Sequence, residues 1–191
     1  MIHTVERPGA SRLADRLIAE FGTSSSALCA SPERLRRALP DATHIVELLL
    51  AARQLLLHSL GQEIRQRTIL GDDRAVQQYL FAHMAHMPVE QARILHLDAK
   101  NGLIRDDVVA YGTVDRVSLA PRELVRQALD IGATGMILAH NHPSGDSTPS
   151  NCDMAVTRAI FAAAKLFDIR LLDHIIVSRS GFYSFRAKGH F

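Results

Sequence analysis

The pattern of hydrophobic residues along the chain changes near residue 67. Before it, apolar residues recur at helical spacing. In "SRLADRLIAEFG" the spacing predicts one apolar face formed by Leu13, Leu17, Ile18 and Phe21. "SPERLRRAL" opens with serine and proline, as helix N-termini often do, and "ATHIVELLLAARQLLLHSLGQEIRQR" predicts one long helix. We therefore predict a helical N-terminal region over residues 1–67.

Strand-like and helical segments alternate after that point. "QARILHLD" and "LIRDDVVAYG" predict two strands, and the Asn-Gly between them is a strong hairpin signal. "TGMILA", "RLLDHIIVS" and "FYSF" predict further strands, while "DDRAVQQYLFAHMA", "APRELVRQALDIG" and the segment from Ser150 to about Leu166 predict helices. Residues 68–191 are therefore expected to form an α/β (α+β) domain with a mixed sheet.

Composition narrows the class of protein. With 47% hydrophobic residues in 191, the chain can bury a substantial core. No apolar run approaches the roughly 20 residues of a membrane span, and the first residues lack the apolar segment of a secretory signal. The two cysteines, Cys29 and Cys152, lie far apart, so we expect a cytoplasmic protein without disulfides. The net charge of +2 does not indicate a strong nucleic-acid binder.

The segment "LAHNHPSGDSTPSNCD" carries the candidate chemistry. His140 and His142 alternate at the end of a predicted strand, so both can reach one metal ion, and Asp153 follows in the first turn of a helix. Two imidazoles and a carboxylate leave a coordination position open, as in catalytic zinc sites. The same ligands also occur in non-haem iron enzymes. A capping box formed by Ser150 and Asp153, with two surface histidines, is the alternative without metal.

This segment resembles the His-x-His-x₁₀-Asp core of the JAMM (MPN-type) metalloproteases. Together with "LDAKNGLI", "YGTVD", "PRELVRQAL", "ILAHNHPSGD" and "LLDHIIV", in this order, it is similar to the RadC branch of that family over about residues 68–191. The resemblance implies an MPN domain, a curved mixed β-sheet flanked by helices. It also implies one zinc ion per chain, held by His140, His142 and Asp153.

The resemblance further implies a glutamate upstream that acts as general base, and a serine that stabilises the oxyanion. Glu90 in "MPVEQARILHLD" occupies the place of the base, with Asp107 as the rival acid. Ser150 matches the serine, although it can equally be a helix cap. Asp173 and His174 also match the family. Because neighbours on a strand point to opposite faces, only one of this pair can lie behind the metal ligands.

The N-terminal region resembles a degenerate helix–hairpin–helix, a motif that binds DNA phosphates through a glycine-containing hairpin. The matching segment, "ALPDATHIVELLLAA", has no glycine and places Asp41 where a phosphate would lie. We therefore expect weak DNA binding at most, and packing or self-association through the apolar helices.

Three functions compete at this stage. The first is a zinc-dependent hydrolase of peptide or isopeptide bonds, with a peptide or protein substrate. The second is a DNA-repair-associated accessory module whose metal site is structural or vestigial. The third is an interaction domain without turnover.

Overall fold

The computed structural model describes residues 10–66, 73–112 and 119–190. The predicted domain boundary between residues 67 and 68 lies outside the described residues, as does part of the "YGTVD" motif. The chain forms two compact units, Met1–Leu56 and Leu57–Phe191. No helix in the described ranges is long and apolar enough to cross a membrane.

The first unit is helical, as predicted. It contains α1 (Ala10–Phe21), α2 (Ser24–Leu28), α3 (Pro32–Ala38) and the first part of α4 (Thr43–Gln66). Leu13, Leu17 and Phe21 pack against the buried residues of α3 and α4. The prediction for Ile18 was wrong, since 44% of it is exposed. Residues four apart form one stripe along a helix, whereas Ile18 is turned by about 100° from Leu17.

The connection between α3 and α4 carries an ion pair. Both carboxylate oxygens of Asp41 accept hydrogen bonds from the Arg16 guanidinium, at 3.0 and 2.9 Å. Arg16 also donates to the Ala38 carbonyl oxygen, at 2.9 Å. One cation of the helical unit is therefore paired with Asp41, which weakens its attraction for a phosphate.

The second unit is built on a mixed sheet. Its elements are the end of α4, α5 (Asp73–Met84), β1 (Gln91–Leu97), β2 (Leu103–Tyr111), α6 (Pro121–Asp130), β3 (Gly135–Asn141), α7 (Asn151–Lys165), β4 (Arg170–Ser178) and β5 (Gly181–Ser184). The strand order is β2-β1-β3-β4-β5. Among the strands that the structure describes, only β3 and β4 pair in parallel, and α7 connects them, because parallel neighbours need a long crossover.

Helices cover both faces of this sheet. On one face, Leu80 and Met84 of α5 pack on Leu95, Ile137 and Val177 of the strands. On the other face, α6 and α7 pack on alternate strand residues that include Ile94, Met136 and Leu138. This five-stranded mixed sheet flanked by helices confirms the predicted fold class.

Strand β3 is longer than its apolar sequence predicted. The ladder continues through His140, which pairs with Ala92 and Ile176, and through Asn141, which pairs with Val177. These two polar residues can extend a buried strand because their side chains find hydrogen-bond partners.

Candidate metal centre

Three side chains converge where β3 ends and α7 begins. His140, His142 and Asp153 each offer one ligand atom, and these atoms all lie within 4.8 Å of one another. His140 Nε2 is 2.9 Å from His142 Nε2 and 3.2 Å from Asp153 Oδ1. His142 Nε2 is 3.6 Å from Asp153 Oδ2. His140 and Asp153 are buried, with 5% and 2% of their surfaces exposed.

Local structure explains how a loop of ten residues brings Asp153 to the histidines. Ser150 is the N-cap of α7, and its hydroxyl accepts a hydrogen bond from the Asp153 backbone N–H. In return, the Asp153 carboxylate accepts from the Ser150 backbone N–H, at 2.7 Å. This is the capping box that the sequence suggested as an alternative to metal binding. The capping box does not exclude metal binding, since the capped carboxylate also faces the two histidines.

The hydrogen bond made by Nδ1 of each ligand histidine determines which ring nitrogen carries the proton. His142 Nδ1 lies 2.7 Å from the Asp146 carbonyl oxygen, which can only accept, so Nδ1 carries the proton. His140 Nδ1 lies 2.8 Å from Nε2 of the fully buried His174. Burial lowers the pKa of His174 well below its ordinary value, so that ring is neutral.

Thr157, which contacts Nδ1 of His174, determines the tautomer of His174. Thr157 donates its hydroxyl proton to the Asp153 carbonyl oxygen, so Thr157 Oγ1 accepts from His174 Nδ1–H. His174 Nε2 is therefore an acceptor, and His140 Nδ1 is the donor to it. Both His140 and His142 consequently present an Nε2 lone pair to the centre of the group.

This arrangement fits a metal ion. Two lone pairs that face each other at 2.9 Å beside a buried carboxylate repel one another unless a cation lies between them. Hydrogen bonds from the Ser150 backbone N–H and hydroxyl to Asp153 Oδ2 favour the ionised form of this carboxylate over the protonated form. The carboxylate is therefore ionised, and the three side chains can hold a metal ion.

The structure separates the two acids considered as general base. Glu90 lines a pocket together with His140, His174 and Asp153. Asp107 lies opposite Ile94 in the β1–β2 hairpin, whereas His140 is opposite Ala92, so Asp107 lies further along the sheet. It lies 2.5 Å from Arg105 Nε and 3.4 Å from His96 Nε2, and it is not among the residues that line this pocket.

The other sequence candidates have distinct surroundings. Ser150 is exposed, and its hydroxyl donates to Asp153 Oδ2 at 2.7 Å. Of the two neighbours on β4, His174 faces the metal ligands. Asp173 points away and accepts hydrogen bonds from the Ser184 hydroxyl and the Arg186 backbone N–H. The Asp173 carboxylate thus ties β4 to the residues after it and has no contact with the ligands among the described interactions.

Sequence reasoning missed two residues that support the site. Thr157 is buried in α7, four residues after Asp153, a spacing that could have suggested its contact. Asn141 stands between the two histidines, and an amide in a buried strand was the available signal. Their partners, His174 on β4 and the main chain of Val89 and Gln91 at the start of β1, depend on strand register, which the sequence does not reveal.

Comparison with known proteins agrees with this arrangement. The family model of the RadC-like JAB domain matches residues 70–190. A Rhodobacter capsulatus protein named UPF0758 protein is 40% identical over 192 residues, which cover 99% of this chain and 88% of that protein.

Proposed function

Because the chain belongs to the family of RadC-like JAB domains, we propose that it is a zinc-dependent hydrolase of peptide or isopeptide bonds. The observation that carries the proposal is the convergence of His140, His142 and Asp153 at a pocket that His140, Asp153 and Glu90 line. Two imidazoles and one carboxylate are the protein ligands of hydrolytic zinc sites, which keep one position open.

The chain's own residues supply the remaining chemistry. When bound, zinc would lower the pKa of a coordinated water and polarise the carbonyl of the substrate. Glu90 would take the proton from the attacking water and pass it to the leaving amine. Glu90 is placed for this role because it lines the same pocket as His140 and Asp153.

Ser150 would stabilise the developing oxyanion with its hydroxyl. In this structure that hydroxyl donates to Asp153 Oδ2. It would have to turn toward the substrate, while the Ser150 backbone N–H, at 2.7 Å from the same oxygen, keeps the start of α7 capped.

A matched pair of variants tests the proposal. The zinc-loaded chain is incubated with a library of peptides, and new termini are identified by mass spectrometry. We expect cleavage that Glu90→Gln reduces by about 10²- to 10⁴-fold without loss of zinc. The control, Asp107→Asn, changes an equivalent charge outside the pocket and should retain cleavage. If Asp107→Asn abolishes cleavage and Glu90→Gln does not, the assignment of the base is wrong.

A further inference from the structure

A fully buried asparagine separates the two histidines of the metal group. Asn141 has no exposed surface, and it lies in β3 between the parallel strand β4 and the antiparallel strand β1. It is not one of the converging ligands. A buried amide is costly unless its donors and acceptor are satisfied, so its partners indicate why the strand carries a polar residue here.

The side chain of Asn141 binds the backbone on both sides of Glu90. Its Oδ1 accepts a hydrogen bond from the Gln91 N–H at 2.8 Å, and its Nδ2 donates to the Val89 carbonyl oxygen at 3.1 Å. The carbonyl oxygen of Glu90 itself accepts from the Gly112 N–H at 3.0 Å. The peptide groups around Glu90 are therefore fixed from two directions, by β3 and by the end of β2.

We infer that Asn141 is a positioning residue that holds Glu90 in register with the metal ligands. The inference rests on the proposed function, in which Glu90 handles the proton of the attacking water. A general base must lie within about 3 Å of that proton, and small displacements cost rate. Since Asn141 is the residue between His140 and His142, one stretch of strand sets the position of two ligands and of the acid opposite them.

Asparagine suits this task because one planar group both donates and accepts. Leucine has a similar size and does neither, and aspartate accepts without donating. We call the two hydrogen bonds of Asn141 to the main chain of Val89 and Gln91 the clamp, and the Glu90 side chain takes no part in them. The inference can therefore be tested separately on the backbone and on the acid.

The first test needs no metal. Amide hydrogen exchange is measured by NMR on the full chain, for the wild type and for Asn141→Leu. We expect the Gln91 N–H to exchange about tenfold faster in the variant relative to other β1 amides, as the loss of one buried hydrogen bond predicts. The control is Ser178→Ala, which removes a buried hydroxyl bonded to the Gly181 carbonyl and should leave Gln91 unchanged. If hydrogen exchange becomes equally faster at all β1 amides, or at none of them, the clamp does not protect the Gln91 N–H and the inference is wrong.

The second test reports on Glu90. Cobalt(II), a coloured ion that accepts the same donors as zinc, is added, and visible spectra of the loaded proteins are compared. We expect Asn141→Leu to bind cobalt and to reproduce the spectral change caused by Glu90→Gln, with no further change when the two substitutions are combined. If Glu90→Gln alters the cobalt spectrum and Asn141→Leu leaves the spectrum as in the wild type, Asn141 does not position Glu90. If the wild type binds no cobalt, the proposed function fails, while hydrogen exchange still decides the clamp.

A second variant covers the case in which Asn141→Leu does not fold. Asn141→Asp keeps the size and the acceptor for Gln91 N–H but loses the donor to the Val89 carbonyl. We expect the Gln91 amide to keep its protection in this variant. If exchange at Gln91 rises about tenfold here as well, the bond between Asn141 and Gln91 is not what protects it, and the inference is wrong.

Discussion

Replacing Thr157 with valine should weaken zinc binding without removing any ligand. Thr157 Oγ1 is the acceptor for His174 Nδ1–H, and valine has the same shape but no oxygen. To keep His140 Nε2 available, the zinc-bound protein must then leave His174 Nδ1–H buried without a partner. That cost is about 1–3 kcal/mol, because 2% of Thr157 and none of His174 is exposed.

The metal-free protein has a way to avoid part of this cost. His174 can move its proton to Nε2 and donate to His140 Nδ1, which places the His140 proton on Nε2, where the metal would bind. The penalty therefore falls mainly on the zinc-bound state. We expect zinc affinity to fall about 5- to 150-fold, the equivalent of about 1–3 kcal/mol.

Competition with a chelator, followed by titration calorimetry, measures the affinity, and urea unfolding of the metal-free protein measures stability. Thr157→Ser is the matched control. It keeps the hydroxyl and loses one buried methyl group, worth about 1 kcal/mol of stability, so its zinc affinity should stay near that of the wild type. If Thr157→Val binds zinc as tightly as the wild type does, the chain of hydrogen bonds does not control the tautomer of His140.

Three further predictions concern other parts of the chain. Burial, and then the hydrogen bond with Asp106, raise the pKa of the Tyr79 hydroxyl. The protonated hydroxyl therefore contributes fully to the stability of the fold below about pH 10, and this contribution is lost as pH rises through the pKa of the folded state. Urea unfolding between about pH 8 and 11 should therefore show a steeper alkaline loss for the wild type than for Tyr79→Phe, and parallel curves would contradict this sign. Ser150→Ala should cost about 1 kcal/mol through the lost cap and slow peptide cleavage by about 10²- to 10³-fold at unchanged zinc content, whereas unchanged cleavage would leave Ser150 as a cap alone. The N-terminal region, residues 1–67, should bind duplex DNA no tighter than about 10⁻⁶ M near physiological salt, because it lacks the hairpin glycines and Asp41 pairs with Arg16. Sub-micromolar binding of this region in a fluorescence titration would refute this.

The parts that the sequence predicts are those that depend on local spacing. Alternation on a strand brings His140 and His142 to one side, and Ser150 with Asp153 forms a capping box within four residues. β1 and β2 pair as the hairpin that the Asn-Gly signal predicted, and Asn101 in their connection adopts a positive φ of 61°. Each of these features is decided by residues close together in the chain.

The contacts that hold the ligands and the general base in place depend instead on strand register. His174 reaches His140 because β4 pairs in parallel with β3, and the two residues are 34 positions apart. The choice between Glu90 and Asp107 likewise depends on which residues of the hairpin lie opposite β3. A change of one residue in register would reverse the face of every side chain, so local patterns could not have decided it.

X-ray absorption at the zinc edge of the zinc-loaded protein tests the central claim most directly. The account predicts one zinc per chain with four nitrogen or oxygen neighbours at about 2.0–2.1 Å, two of them imidazoles, and loss of one imidazole signal in His142→Ala. Cys152 lines the same pocket and provides the sharpest alternative. A sulfur neighbour at about 2.3 Å, or unchanged imidazole signals in His142→Ala, would contradict the assignment of His140, His142 and Asp153 as the ligands.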